Sequence, residues 1–302
     1  MPAGVITRSA HPDALWPGVK DWFGLSYAEE PATWSKIFQR EDSDKYQEIV
    51  VEATGFGLAP VKTEGAPIEY DSDQQGYKST FTHVVYALGY IVTMEELADG
   101  QYKVISTRRA GNLARSMRWT AEVVHANILN RGFSTSYPIG DGAALYSASH
   151  PTLSGNQSNL LTAADLSETS LEDAAKATWR LKSNRGTPIN SGIKRLIITP
   201  EDAFNATRIL NSVLRPGTPN NDVNALNAMG IVPDVVVNKY LTDTDAWFVQ
   251  TDVQDGLMSM WRNTATLEQD NDFDTKNARA SSYIRFAAGC GDWRSTLGNA
   301  GS

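Results

Sequence analysis

Ser147, Ser149 and His150 are the residues whose types and spacing come nearest to chemistry, in the stretch Ser147-Ala148-Ser149-His150-Pro151. A serine hydrolase needs its nucleophile on a strained turn, a base within hydrogen-bond reach and an acid to orient that base. No G-x-S-x-G surrounds either serine, and local Ser-x-His spacing does not supply that geometry. The stretch reads as a structural loop, with a soluble hydrolase working through His150 as the alternative from the enzyme class. His11, His83 and His125 are scattered, without an H-E-x-x-H. Asp270-Asn271-Asp272-Phe273-Asp274 opens like a calcium loop. Thr275 stands where such a loop needs glycine, however, and Ser281 where it needs glutamate, which leaves a solvated acidic turn. Gly55-Phe56-Gly57 and Gly140-Asp141-Gly142 lack the third glycine or the lysine of a phosphate cradle. The expectation is a protein with no catalytic residue, no cofactor and no metal.

Composition bounds the rest. The chain has 302 residues, 41% hydrophobic and 21% charged, as in ordinary globular proteins. Its net charge of −8 and pI near 5.1 argue against a tight grip on a phosphate backbone. A single cysteine, Cys290, excludes an intrachain disulfide and a multi-cysteine zinc site, and fits a reducing compartment. No apolar run approaches the ~20 residues of a membrane span, and the start Met1-Pro2-Ala3-Gly4-Val5 has no signal-peptide pattern. The protein is expected in cytosol, or released by lysis.

The chain is organised around residues 54–76. Strand-like runs lie on either side, Tyr46–Glu52 and Tyr77–Tyr90, and suggest a hairpin. The 23-residue connection carries four glycines and two prolines, so a helix inside it is disfavoured. Extended, each half would reach roughly 35 Å, beyond a body whose radius of gyration is about 19 Å. Such a finger is marginal in water by itself, and a neighbouring chain is the simplest support for it.

Residues 1–44 read as an irregular arm, broken by Pro2, Pro12, Pro17 and Pro31 and rich in aromatics, including Trp16, Trp22, Phe23, Tyr27, Trp34 and Phe38. These need a surface, on their own body or on a neighbour's. Thr93-Met94-Glu95-Glu96 is a capping box. A long helix over about 106–131 follows, with Leu113, Met117, Ala121, Val124 and Ile128 on one stripe and Arg108, Arg115 and Arg118 on another face. Residues 133–165 read as loop. Thr169-Ser170-Leu171-Glu172 is a second box, opening a helix to about Asn184. A strand over 194–199 and a helix from Pro200 come next, with Ala203, Ala206, Ile209, Leu210 and Val213 apolar. After a polar loop at 215–230, strands are expected at 231–238, 246–251, 257–262 and 281–288. The class is α+β with a mixed or antiparallel sheet.

Taken in order, several pieces resemble a known family. Glu64 to Asp71, Gln75-Gly76-Tyr77, Phe81 to Val84 and Gly89 to Thr93 are similar to the extended loop and following strand of tailed-bacteriophage major capsid proteins. The Mu-like major head subunit, with the Hong Kong 97 phage capsid fold, is the nearest group. Leu145 to Pro151 with Asn159-Leu160, and Phe286 to Arg294, resemble two further stretches of that family. The resemblance implies an N-terminal arm (1–44), an extended β-hairpin loop with flanking strands (45–92), a peripheral domain with a long spine helix (93–140 and 251–302) and an axial domain (141–250). It also implies self-assembly as hexamers and pentamers into an icosahedral head around double-stranded DNA, without tight sequence-specific binding to it. The expected place is the virion, with assembly in the host cytoplasm. Partners implied are a portal, a possible decoration protein and, since only about 45 residues precede the loop, a separate scaffolding protein. Lys62 and Lys78 lie near the loop, but no crosslink is expected. An encapsulin-like cargo shell is the alternative within the fold.

Charge suggests how subunits meet. Residues 60–76 carry a net −3 through Lys62, Glu64, Glu69, Asp71 and Asp73, beside Tyr70; residues 108–131 carry +4. The expectation is an acidic loop lying across the basic face of a neighbour's spine helix, at Arg108, Arg115 and Arg118, through contacts that high salt would loosen. Trp16 and Trp22 are the candidate contacts from the arm.

Overall fold

The computed structural model describes residues 16–28, 31–93, 95–96, 102–214, 222–272 and 277–302, without the side chains of 16–19, 102–107 and 271. Its longest helix, α3 (Tyr102–Asn130), has 29 residues and so spans about 43 Å. The apolar stripe read from the sequence faces inward. Ala110, Leu113, Ala114, Met117, Ala121 and Leu129 are buried, and Val124 and Ile128 pack against the same core. The helix begins before the expected Ser106. The amide of Glu96 donates to Thr93 Oγ1 at 3.4 Å, one half of the expected box; Met94 and residues 97–101 lie outside the described residues.

The arm is more regular than its prolines suggest. Helix α1 (Trp16–Ala28) lies almost wholly between Pro17, which a first turn tolerates, and Pro31. It packs on α3, where Gly111 lets Ser26 Oγ approach to 3.1 Å of the position a β-carbon would take. A one-turn helix, α2 (Trp34–Ile37), and strand β1 (Gln39–Asp42) follow. The buried carboxylate of Glu122 on α3 accepts the amides of Thr33 (2.6 Å) and Trp34 (3.2 Å) and so fastens α2 to the long helix. Phe23, Trp34, Ile37 and Phe38 are buried in their own subunit.

After β1 come β2 (Gln47–Ala53), β3 (Gln75–Thr82) and β4 (Val84–Val92). The single run expected over 77–90 is two strands, because it serves two sheets. Thr82 still pairs with Gln47 of β2, whereas Val84 pairs with Phe286. Between them the buried His83 ring meets Ser43 Oγ at 3.0 Å.

Helix α4 (Glu168–Trp179) starts two residues earlier than expected, because the working box is Ser167 with Ser170. It stops at Trp179 rather than near Asn184, as the chain turns to bridge Lys182 to Pro188. Strand β5 (Ile193–Ile198) is as expected. Helix α5 (Ala203–Asn211) begins after Pro200, and Val213 beyond its end is exposed rather than apolar core. A short helix, α6 (Ala225–Met229), interrupts the expected polar loop, capped by the Asn224 side chain and ended by Gly230 at φ 60°. Residues 215–221 lie outside the described residues. Pro233 has no amide to give a ladder, so β6 is only Val235–Val237. Then come β7 (Trp247–Thr251), the long pair β8 (Leu257–Asn271) and β9 (Ala278–Cys290), a 3-10 turn at Trp293–Ser295 and β10 (Thr296–Asn299).

The strands form a sheet in the order β1-β8-β9-β4, a second in the order β10-β7-β5-β6, and the separate β2-β3 pair. Among the described strand pairs, β1·β8 and β5·β6 are parallel and the rest antiparallel. Between α3 and the first sheet lies an aromatic stack centred on His125, with Trp34 (4.5 Å), Phe38 (4.9 Å) and Phe286 (5.1 Å) around it. His125 Nδ1–H donates to the Ala121 carbonyl (2.6 Å), and Nε2 accepts from Ser259 Oγ (2.7 Å), which in turn accepts Trp261 Nε1–H (2.8 Å).

Burial drives the His125 pKa down to about 4, so the neutral ring is the stable form inside this stack. A folded value below the unfolded one means stability is complete above about pH 6.5 and is lost as pH falls toward 4. Over that window the loss expected from His125 is about 3 kcal/mol; His83, also lowered, chiefly by burial, acts in the same direction. Urea unfolding from pH 7 to 4 should show this slope in the wild type and much less of it in His125→Gln. Equal slopes would place the buried titration elsewhere.

Candidate assembly surfaces

Beyond the β2-β3 ladder the chain runs on as two arms without strand pairing. Pro60 and Pro67 lack amides, and Gly55, Gly57 and Gly65 weaken a ladder. Carboxylates replace it. Thr54 N–H donates to Gln74 O (3.1 Å). Asp73 accepts Thr54 Oγ1 (3.1 Å) and Gly55 N–H (2.9 Å), and Asp71 accepts Gly57 N–H (2.8 Å). The far end is a turn in which Ala66 N–H meets Thr63 O at 3.1 Å, with Gly65 at φ 80°. That sign of φ is what the third position of a type II turn requires of glycine. Glu64 therefore stands at the apex.

Two of the four acids expected to face a neighbour thus staple the finger's own arms. What the finger shows instead is apolar. Phe56, Leu58 and Ile68 are exposed, and Val61 and Tyr70 are 94% and 95% exposed. Lys62, Glu64 and Glu69 are exposed too, with no polar partner among the described residues.

The base of the finger is moored to its own body. Arg185 Nη1 holds both Asp71 oxygens (3.0 and 2.8 Å), and Nη2 donates to Ser72 O. The Gly57 amide first, and then Arg185, hold the Asp71 carboxyl below its ordinary pKa. Near the end of β2, Glu52 accepts from Asn184 Nδ2 (2.9 Å) and from the buried Arg294 (2.8 Å), which also meets Asp292 (3.2 Å) and donates to Lys182 O (2.9 Å). Burial pushes the Glu52 pKa up against those bonds. Nothing in the sequence pattern singles out Glu52, Arg185 or Arg294, since the contacts Glu52–Arg294 and Asp71–Arg185 join residues far apart along the chain.

The basic face of α3 is narrower than its spacing suggests. Arg108 and Arg115 are exposed, but Arg118 is only 9% exposed and donates to Pro31 O at 3.1 Å, so it braces the arm of its own subunit. Arg109 pairs with Glu96 at 2.8 Å. Trp22 is exposed at 55% on α1; the side chain of Trp16 lies outside the described part of the structure.

The Ser147–Pro151 stretch has no hydrolase geometry. His150 is fully buried, stacked on Trp293 at 4.3 Å. Its Nδ1 meets Asp141 (2.5 Å) and its Nε2 meets Asn159 Oδ1 (2.9 Å). Asn159 Nδ2 donates to the carbonyls of Leu145, Trp293 and Thr296, which fixes its oxygen toward the ring. Both ring nitrogens therefore face acceptors, and neither offers a lone pair to a serine. Ser147 Oγ instead accepts the Ser149 amide (3.1 Å). In the acidic turn Asp272 pairs with Arg279; residues 273–276, like His11, lie outside the described residues. Among the described residues no group of three or more His, Cys, Asp or Glu is placed to hold a metal, and no helix is long and apolar enough to cross a membrane.

Comparison with known proteins gives these surfaces a context. The chain matches the model of a family described as phage capsid protein over residues 76–299, well over half its length. No curated protein matches. Among solved structures, a virus-like particle from Pyrococcus furiosus is 11% identical with a TM-score of 0.55, over 94% of this chain and 98% of that one. The bacteriophage PhiM1 mature capsid is 11% identical with a TM-score of 0.56, over 89% and 87%. The procapsid of bacteriophage JBD30 is 14% identical with a TM-score of 0.51, over 97% and 76%. At such identities the likeness shows the fold, which is that of Hong Kong 97-like capsids, and the family match carries the assignment: the chain belongs to the phage capsid protein family and is a capsid shell protein.

Proposed function

We propose that this is the major head protein of a tailed phage, assembling as hexamers and pentamers into an icosahedral shell around double-stranded DNA, with no catalytic step of its own. The observation that carries this reading is the finger: stapled, moored at its base, and showing Leu58, Val61, Ile68 and Tyr70 to solvent. Its own subunit reaches the finger's root through Arg185 and still leaves these side chains uncovered. A neighbouring copy is the surface that can bury it.

Magnitudes decide which part of the finger does the holding. Burying one side chain such as Leu58 or Ile68 contributes ~1.5–3 kcal/mol; an exposed ion pair contributes ~0–1 kcal/mol and is screened by salt. With Asp71 and Asp73 used as staples and Arg118 bracing its own arm, the charge contact with the exposed basic face of a neighbour's α3, at Arg108 and Arg115, falls to Glu69, and it is the smaller share. Trp22 on α1 is a second candidate for cover by another copy. Around this contact residues 1–44 serve as the arm, 45–92 as the extended loop, 93–140 with 251–302 as the peripheral domain and 141–250 as the axial domain. Portal, scaffolding and decoration proteins, and assembly in a host cytoplasm, belong to the same proposal.

Val61→Ser with Tyr70→Ser should lower shell yield by about tenfold or more, the loss of at least one apolar burial, with the melting temperature of the unassembled chain unchanged. Arg108→Glu with Arg115→Glu should cost less, and shells should survive about 1 M salt. Particle counts by negative stain and sedimentation read both, and the reverse order of severity would return the contact to charge. Particles filled with protein cargo rather than DNA would favour the encapsulin-like shell.

Arg185→Ala removes the mooring while leaving the ladder. Trypsin should then cut at Lys62 faster in the unassembled chain, with thermal stability changed little, because an ion pair still open to solvent contributes only ~0–1 kcal/mol. An unaltered cutting rate would mean that Arg185 holds nothing in place.

A further inference from the structure

A polar cavity of about 440 Å³ opens at the seam between the two four-stranded sheets, and cations dominate its lining: Lys36, Arg40, Lys194 and Arg195. In a chain of net charge −8 that grouping is unusual. The acids near it are partly spent. Asp252, in the lining, accepts the Gly192 amide (2.9 Å); outside it, Asp42 holds Arg40 at 3.2 Å, and Asp234 stays 3.8 Å from Arg195 Nε. Arg195 is the deepest of the four, with a side chain 14% exposed. Its Nε and Nη1 are buried without a hydrogen-bond acceptor. A buried guanidinium N–H left without an acceptor is costly, so the pocket fits an oxyanion brought from outside.

The shape narrows the choice. A duplex meets cations that project along its phosphate rows, whereas a recess that ends on a half-hidden arginine suits a single carboxylate on a protruding tip. The finger carries such a tip. Glu64 stands at the apex of the finger, exposed and without a partner among the described residues. Its own pocket does not receive it: no finger residue is in the lining.

We propose that the pocket formed by Lys36, Arg40, Lys194 and Arg195 is an anion site that receives the Glu64 carboxylate from the finger of a second copy. The proposal rests on the shell reading above and adds where the tip ends. It is tested in the full-length protein by a charge exchange, with particles counted by sedimentation and negative stain. Lys194→Glu and Glu64→Lys should each cut shell yield by about tenfold, as expected for losing a charge-assisted contact, and the double variant should recover most of it. Lys36→Glu, on the exposed side of α2, repeats the cycle with Glu64→Lys in case Lys194→Glu fails to fold by circular dichroism. Normal yield from a folded pocket variant overturns the site. So do two defective single variants with no recovery in the double, and so do normal shells that have lost packaged DNA, which would make nucleic acid the ligand. A wild-type chain that forms no shell fails differently, since it removes the shell reading before the pocket is reached.

Discussion

The Asp71 carboxylate is the contact on which the projecting part of this molecule depends. It accepts the Gly57 amide on the opposite arm, its neighbour's amide at Ser72, and the Arg185 guanidinium from the body. A run that contains Pro60 and Pro67 cannot complete a β-ladder, because proline has no amide to donate. Without a substitute the two arms would separate into a long structureless loop, which compact proteins rarely carry. Short acidic side chains, Asp71 and Asp73, accept the Gly57 and Gly55 amides that the broken ladder leaves without a carbonyl partner. The finger is thereby held open, not collapsed, and its large apolar side chains have nowhere of their own to go.

Rigidity at the base and freedom at the tip follow from where the charges are buried. Arg294 and Glu52 are nearly hidden, and such a pair adds little net stability once desolvation is counted. Its value is directional, because leaving either ion alone in that site is costly. The lines from Arg294 to Lys182 O and from Asn184 to Glu52 tie the β2-β3 pair to the second sheet's loops. Further out the contacts become solvent-exposed, and beyond Gly57 the finger has only its own turn. In the proposed shell a fixed root with an adaptable end would let one chain make the same contact in both five-fold and six-fold settings.

Local pattern was legible and partnership was not. The stripe on α3, the interior of β5 and β7, and the hairpin framework could be read because each depends on periodicity or on turn residues. The capping signals were present but misplaced. Ser167 with Ser170, and Asn224 with Gly230, mark helices as clearly as the boxes that were read, yet a two-residue shift or a polar neighbourhood hid them. The helical arm is obscured because its prolines flank it; the eleven residues from Gly18 to Ala28 are free of them. Strand β1 is four polar residues, Gln39–Asp42, whose only claim to a sheet is pairing with Met258–Trp261 far away. His125 looked incidental because its role rests on Trp34, Ser259, Trp261 and Phe286, none of them near it in sequence.

The surfaces show the same limit more sharply. Counting charges over 60–76 gives a strongly acidic segment, and the count is correct, but charge that is satisfied inside a subunit is not available to attract another. Asp71 and Asp73 face their own backbone amides, and Arg118 faces Pro31 O. Subtracting them leaves a tip whose most exposed apolar side chains are Val61 and Tyr70 and whose apical carboxylate is Glu64. Hydrophobic burial is non-directional and scales with area, so it can hold copies together without fixing their alignment; a single carboxylate in a cationic recess adds little area but has one geometry. A contact built from both gains its strength from the first and its register from the second.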